Sequence, residues 1–146
     1  MLRADNLREK VVGRLEHQGQ RLTAVRAQLV EILSASGRPM TIPEILGARP
    51  GLAQSSAYRN LVVLEQASVV HRLVTGDEFA RYELAEDLTG HHHHLVCSNC
   101  GRIEDLPASD GIERSVAAAA AQAARRAGFR TSHHRLDLVG TCADCT

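Results

Sequence analysis

The chain has no tryptophan, and its 146 residues include only two Tyr and two Phe, an aromatic content of 3%. Any core therefore rests on Leu, Val, Ile and Ala. Long apolar runs are also missing. No segment approaches the roughly 20 continuous apolar residues needed to span a bilayer, and "VAAAAA" runs straight into "QAARRAG". The N-terminal "MLRADNLREKVVGRL" is charged every few residues and lacks the apolar stretch of a signal peptide, so a soluble, cytoplasmic protein is expected. There is no His-Glu-x-x-His helix and no nucleophile constellation, which argues against a zinc hydrolase, the reading that three nitrogen ligands and a carboxylate would otherwise suggest. The length suits one ordinary domain or two small ones.

Net charge is zero, but it is unevenly spread. Residues 1–75 hold ten Arg/Lys against six Asp/Glu, and residues 76–146 hold seven against eleven. A basic half beside an acidic half that carries most of the His and all of the Cys suggests two jobs.

Apolar periodicity divides the first half. Leu7, Val11 and Leu15 recur at helical spacing, and a second helix follows Thr23 with Val25, Leu29, Ile32 and Leu33. Thr41 precedes a short helical stretch with Pro43 in its first turn, and Ser55 or Ser56 can cap a further helix carrying Ala57, Leu61, Leu64 and Ala67. "VVHRLV", the turn "TGDE" and "FARYEL" then read as a hairpin. The three helical stretches after Thr23, followed by a hairpin, give the order of a winged helix-turn-helix. The last helix becomes the candidate major-groove reader, its exposed face carrying Ser55, Ser56, Tyr58, Arg59 and Asn60. A small helical unit with no DNA role fits the same pattern.

In the second half, "HHHHLVC" and "RIEDL" read as paired strands around the turn "SNCG". Residues 112–127 form a strong helix ended by Gly128, and "FRTSHHRLDLVG" alternates as a strand. All four cysteines fall in two Cys-x-x-Cys units, Cys97/Cys100 and Cys142/Cys145. Two such knuckles converge four thiolates on one zinc, a closed site that staples a small domain rather than catalysing. A thiol redox switch, with the same pairs oxidised, is the competing reading.

The run His91–His94 resolves by strand parity. Successive side chains point to opposite faces, so His91 and His93 share one face and His92 and His94 the other. Glu113 on the following helix and His134 on the last strand can complete the first pair. His71, Glu83 and Asp87, near the end of the wing, are the candidates for the second.

Four stretches, "GQRLTAVR", "SSAYRNL", "HHHHLVCSNCG" and "SHHRLDLVGTCADC", together resemble the Fur family of metal-dependent bacterial repressors along nearly the whole chain, and the last two are most similar to its zinc-responsive Zur branch. The resemblance implies an α/β (α+β) protein with a winged-helix DNA-binding domain over residues 1–84, a hinge over 85–90 and a metal-binding dimerisation domain over 91–146. It implies a homodimer that binds double-stranded operator DNA of palindromic sequence when its regulatory metal is bound. It further implies a structural Zn²⁺ at Cys97, Cys100, Cys142 and Cys145, and a regulatory site at His91, His93, Glu113 and His134, with Asp110 as the alternative carboxylate. A hinge site maps to His92 and His94 with Glu83 or Asp87, His71 standing where Zur proteins have a hinge Asp. Asp87 stands where many Zur proteins have a Cys, and Met40 where several Fur proteins supply a His. The regulatory metal is then expected to be Zn²⁺, with an Fe²⁺-, Mn²⁺- or peroxide-responsive regulator as the alternative. Arg21 matches a basic residue that reaches a minor groove or the DNA backbone.

Overall fold

The computed structural model describes residues 3–146. Helices α1 (Ala4–His17), α2 (Ala24–Ser36), α3 (Ile42–Ala48) and α4 (Gln54–Gln66) pack with strands β1 (Met40–Thr41), β2 (Val70–Val74) and β3 (Ala80–Leu84). The three strands form an antiparallel sheet of order β1-β3-β2. Local chemistry sets the boundaries. The Thr23 hydroxyl accepts from the Arg26 N–H at the start of α2, and Gly37 ends that helix at φ 64°. Thr41 and Glu44 form a reciprocal capping box at α3. Leu15, Leu29, Ile45, Leu61 and Leu64 are fully buried in one core that extends through Leu84 to Leu88.

A single-turn helix α5 (Glu86–Thr89) connects this unit to the second half, which comprises β4 (His92–Cys97), β5 (Ile103–Pro107), α6 (Asp110–Ala127) and β6 (Asp137–Gly140). The sheet order is β5-β4-β6, with β4 antiparallel to β5 and parallel to β6. Ser109 caps α6, and Gly128 closes it at φ 61° after Arg125 and Arg126 in the last turn. This half has little core of its own. Ile103, Cys97 and His93 are buried, but α6 buries no residue and every residue of β6 is exposed.

Two local expectations change. Helix α4 begins at Gln54 with Ala53 at its N-cap, so Ser55 and Ser56 lie inside the first turn and no side chain caps it. The expected strand over "FRTSHHRLDLVG" shrinks to Asp137–Gly140, which pairs with His94–Cys97, and before it only the Leu136 carbonyl is tied to β4, accepting from the His94 N–H at 3.2 Å. Among the described residues, no helix is long and apolar enough to cross a membrane.

Candidate metal centres and DNA-facing helix

The two Cys-x-x-Cys units meet. Strand β4 ends at Cys97, and its parallel pairing with β6 sets Cys97 opposite Gly140, which delivers Cys142 and Cys145 to the β4–β5 turn. The four sulfurs lie within 4.8 Å of one another, with Cys100 Sγ 3.8 Å from Cys142 Sγ. The Cys142 N–H donates to Cys97 Sγ at 3.4 Å. Backbone N–H groups of Cys100 and Cys142 hold the Cys97 thiol down at about 6, which favours the thiolate form that ligates metal.

Strand parity separates the histidines. On one face His91, His93 and His134 converge through Nε2 on the Glu113 carboxylate. His93 Nε2 lies 2.6 Å from Oε1, and His91 Nε2 and His134 Nε2 each lie 3.1 Å from Oε2. The hydrogen bond from His93 is the main cause of the lowered Glu113 pKa. Glu113 reaches this group because it sits in the first turn of α6, whereas Asp110 is exposed at the helix start and outside it. His133 faces outward, with its Nδ1 3.0 Å from the Ser132 hydroxyl.

On the other face His92 Nε2 and His94 Nε2 each lie 3.1 Å from the same oxygen of Glu83. Their companion is Asp105, with Oδ1 at 3.8 Å from His92 Nε2 and 4.0 Å from His94 Nε2. Burial works against the charged forms of His92 and His94, but the hydrogen bonds and negative charges around them win. His92 bonds to the Gly90 carbonyl and Glu83, His94 to Glu83, and both pKa values are raised. Burial acts to raise Glu83, yet the two imidazoles hold its carboxyl below the ordinary value. Asp105 is raised, chiefly by burial and then by the Glu83 charge, and its Oδ1 is buried without a hydrogen-bond partner. Four donors within 4.8 Å, two of them carboxylates and one with an orphaned oxygen, fit a divalent cation.

This group differs from the expected hinge set. Asp87 is not in it; its carboxylate pairs instead with Arg14 of α1. His71 is cross-strand from Glu83 but exposed, lining a cavity of about 170 Å³ beside the group rather than joining it. Met40 is buried in β1 against Tyr82. Asp105 is not among the residues that the sequence motifs single out, although its signal is there. A β4–β5 hairpin turning at Cys97–Cys100 places Asp105 directly opposite His94, hence on the same face.

On α4, Tyr58 is 50% exposed, Ser55 and Arg59 are exposed, and Arg21 is exposed ahead of α2. Asn60 turns inward, accepting from Arg26 Nε at 2.9 Å and donating to the Ser56 carbonyl at 2.8 Å, so it ties α4 to α2 instead of presenting a free amide. Ser56 is half-buried beside it.

Residues 17–139 match the model of the Ferric uptake regulator family. The chain is 33% identical over 138 residues to the peroxide operon regulator of Bacillus subtilis, covering 90% of this chain and 88% of that protein. It is 30% identical over 143 residues to the peroxide-responsive repressor PerR of Staphylococcus saprophyticus, covering 94% and 90%. Its fold is similar to that of the ferric uptake regulator Fur of Helicobacter pylori, with a TM-score of 0.77 at 24% identity over 99% of this chain and 94% of that one. With its winged helix, its second α/β unit and these matches, the chain belongs to the Ferric uptake regulator family of metal-responsive transcriptional regulators.

Proposed function

We propose that this chain is a cytoplasmic, metal-operated repressor that binds a palindromic operator as a homodimer, and that the Glu83, His92, His94 and Asp105 group is its switch. One observation carries the reading: Glu83 lies on β3 of the winged unit, while the other three donors lie on β4 and β5 of the second half. A cation bound there links the two halves and favours the arrangement that presents both α4 helices to successive major-groove turns. The Gly90 carbonyl accepts from His92 Nδ1 at 2.9 Å, leaving Nε2 to face Glu83. Residues 1–84 and 91–146 are then the two working domains. Tyr58, Arg59, Ser55 and Arg21 make the DNA contacts, with Ser56 and Asn60 shaping the helix that carries them.

The four cysteines serve as a structural Zn²⁺ site, and His91, His93, Glu113 and His134 as a second metal site within the dimerisation domain. The homodimer is supported by what the protomer leaves uncovered: Phe129 is 63% exposed, Leu138 49% and Val139 68%, beside an α6 that buries nothing. Two carboxylates and two imidazoles, with no thiolate, accept Fe²⁺ or Mn²⁺ as well as Zn²⁺. That donor set, with the likeness to peroxide-responsive regulators, favours an iron- or manganese-dependent, peroxide-responsive repressor over the zinc-responsive reading.

The division between switch and staple is testable. Asp105→Ala and His94→Ala should each lower metal-dependent DNA affinity by at least about tenfold while leaving the thermal transition near that of the wild type. Cys97→Ser should lose zinc and the cooperative transition together. Equal loss of fold in all three variants would contradict the assignment.

A further inference from the structure

The single-turn helix α5 carries two adjacent carboxylates that point to different partners. Glu86 contacts His91 at Nδ1, the ring nitrogen that faces away from Glu113 and His134. Asp87 pairs with Arg14 Nη2, and Arg14 also donates from Nη1 to the Ser68 carbonyl at 2.6 Å, fixing the guanidinium between α1 and the segment after α4. We propose that Glu86 is a positioning residue for the second metal site, and that the neighbouring Asp87–Arg14 pair transmits the state of that site to the winged unit by a path separate from the Glu83 switch.

The physical basis is orientation. A carboxylate on one nitrogen of an imidazole fixes its tautomer and its ring plane and strengthens the other nitrogen as a ligand. With Nδ1 held by Glu86, His91 Nε2 stays 2.9 Å from His134 Nε2 and 3.1 Å from Glu113. Glu86 sits on the connector, so drawing His91 toward the second site draws α5 with it. The Gly90 N–H bonds to the Glu86 carbonyl at 2.7 Å, which keeps the turn short and the link stiff. Asp87, one residue on, is the end of α5 that touches α1. Asp87 is largely exposed and Arg14 half-buried, so the coupling through the pair is modest, about two- to fivefold.

The inference rests on the repressor reading above, and its test separates the two. In a His94→Ala background, which disables the switch, Co²⁺ competition against a chelator reads the second site, with its absorption spectrum reporting ligand geometry. Adding Glu86→Gln should weaken Co²⁺ binding about tenfold and shift the spectrum, and Glu86→Asp should recover part of the loss. Adding Asp87→Asn should leave Co²⁺ affinity and spectrum nearly unchanged. It should, however, abolish the two- to fivefold gain in affinity that Co²⁺ gives for a duplex selected from a random pool by metal-loaded wild-type protein. Wild-type-like Co²⁺ binding by Glu86→Gln, or a full gain retained in Asp87→Asn, would overturn the proposal. No gain in the His94→Ala background would also overturn it, while leaving the Glu83 switch to be judged on the Asp105→Ala result.

Discussion

At Gly101 the backbone turns through φ 76°, and an added Cβ would overlap the Asp77 carboxylate of the wing. That carboxylate cannot simply swing away, because Arg81 donates to it at 2.8 and 2.7 Å and the Thr75 hydroxyl at 2.8 Å. Gly101→Ala should therefore destabilise the protein by about 1–3 kcal/mol, read as a lowered denaturation midpoint; an unchanged midpoint would show that the wing does not rest on the cysteine knuckle. The Arg81 hydrogen bond holds the Asp77 carboxyl down at about 2 from an ordinary 3.8. A folded-state value below the unfolded one adds stability above the ordinary value, and the contribution disappears as pH falls through the folded value. The stability gap between wild type and Asp77→Asn should thus be constant above about pH 4 and shrink between about pH 4 and 2. At this same scale, the meeting of the four cysteines is legible from spacing alone, whereas the choice between Glu83 and Asp87 as companion of His92 and His94 is not. The true partner of Asp87, Arg14, is 73 residues away, and no local periodicity encodes which carboxylate a packed helix will offer it.

Among the elements, strand β4 was the most legible. Its period of two is a property of extended backbone, so four consecutive histidines divide into two faces whatever surrounds them. The fourth donor of the proposed switch requires one step more, the β4–β5 register that sets Asp105 opposite His94. Helix α6 was nearly as plain in sequence because the alanines and Gly128 agree on one conformation, but it begins at Asp110 and not at residue 112, since Ser109 caps it. Strand β6 is shorter than its alternation suggests, since alternation marks which residues can pair but not where pairing begins. The inward turn of Asn60 belongs to the same class, decided by Arg26 on another helix. Exchanging that amide tests it: Asn60→Ala should lower stability by about 1 kcal/mol through the lost ties to Arg26 and Ser56 and, in a duplex-binding assay, weaken DNA affinity less than Arg59→Ala does.

For the molecule as a whole, the winged unit holds nearly all the buried apolar side chains, and the second half holds every candidate metal donor but Glu83, together with uncovered apolar surface. The proposed zinc staple and second copy would supply the stability that such a half lacks. Val139→Asp should accordingly shift the protein toward monomer in sedimentation at micromolar concentration while the zinc content stays at wild-type level. The uneven charge has a similar logic, a basic unit suited to phosphate and an acidic one suited to cations. In the proposed function, a cation at Glu83, His92, His94 and Asp105 drives DNA binding. Its most direct test is a titration of zinc-stapled protein, stripped of its remaining metals, with Mn²⁺, Fe²⁺ and Zn²⁺ in separate anaerobic series while DNA binding is followed by fluorescence anisotropy. Mn²⁺ and Fe²⁺ should raise affinity by at least about tenfold in wild type and not in Asp105→Ala. DNA affinity indifferent to all three metals, or a full response retained in Asp105→Ala, would contradict it.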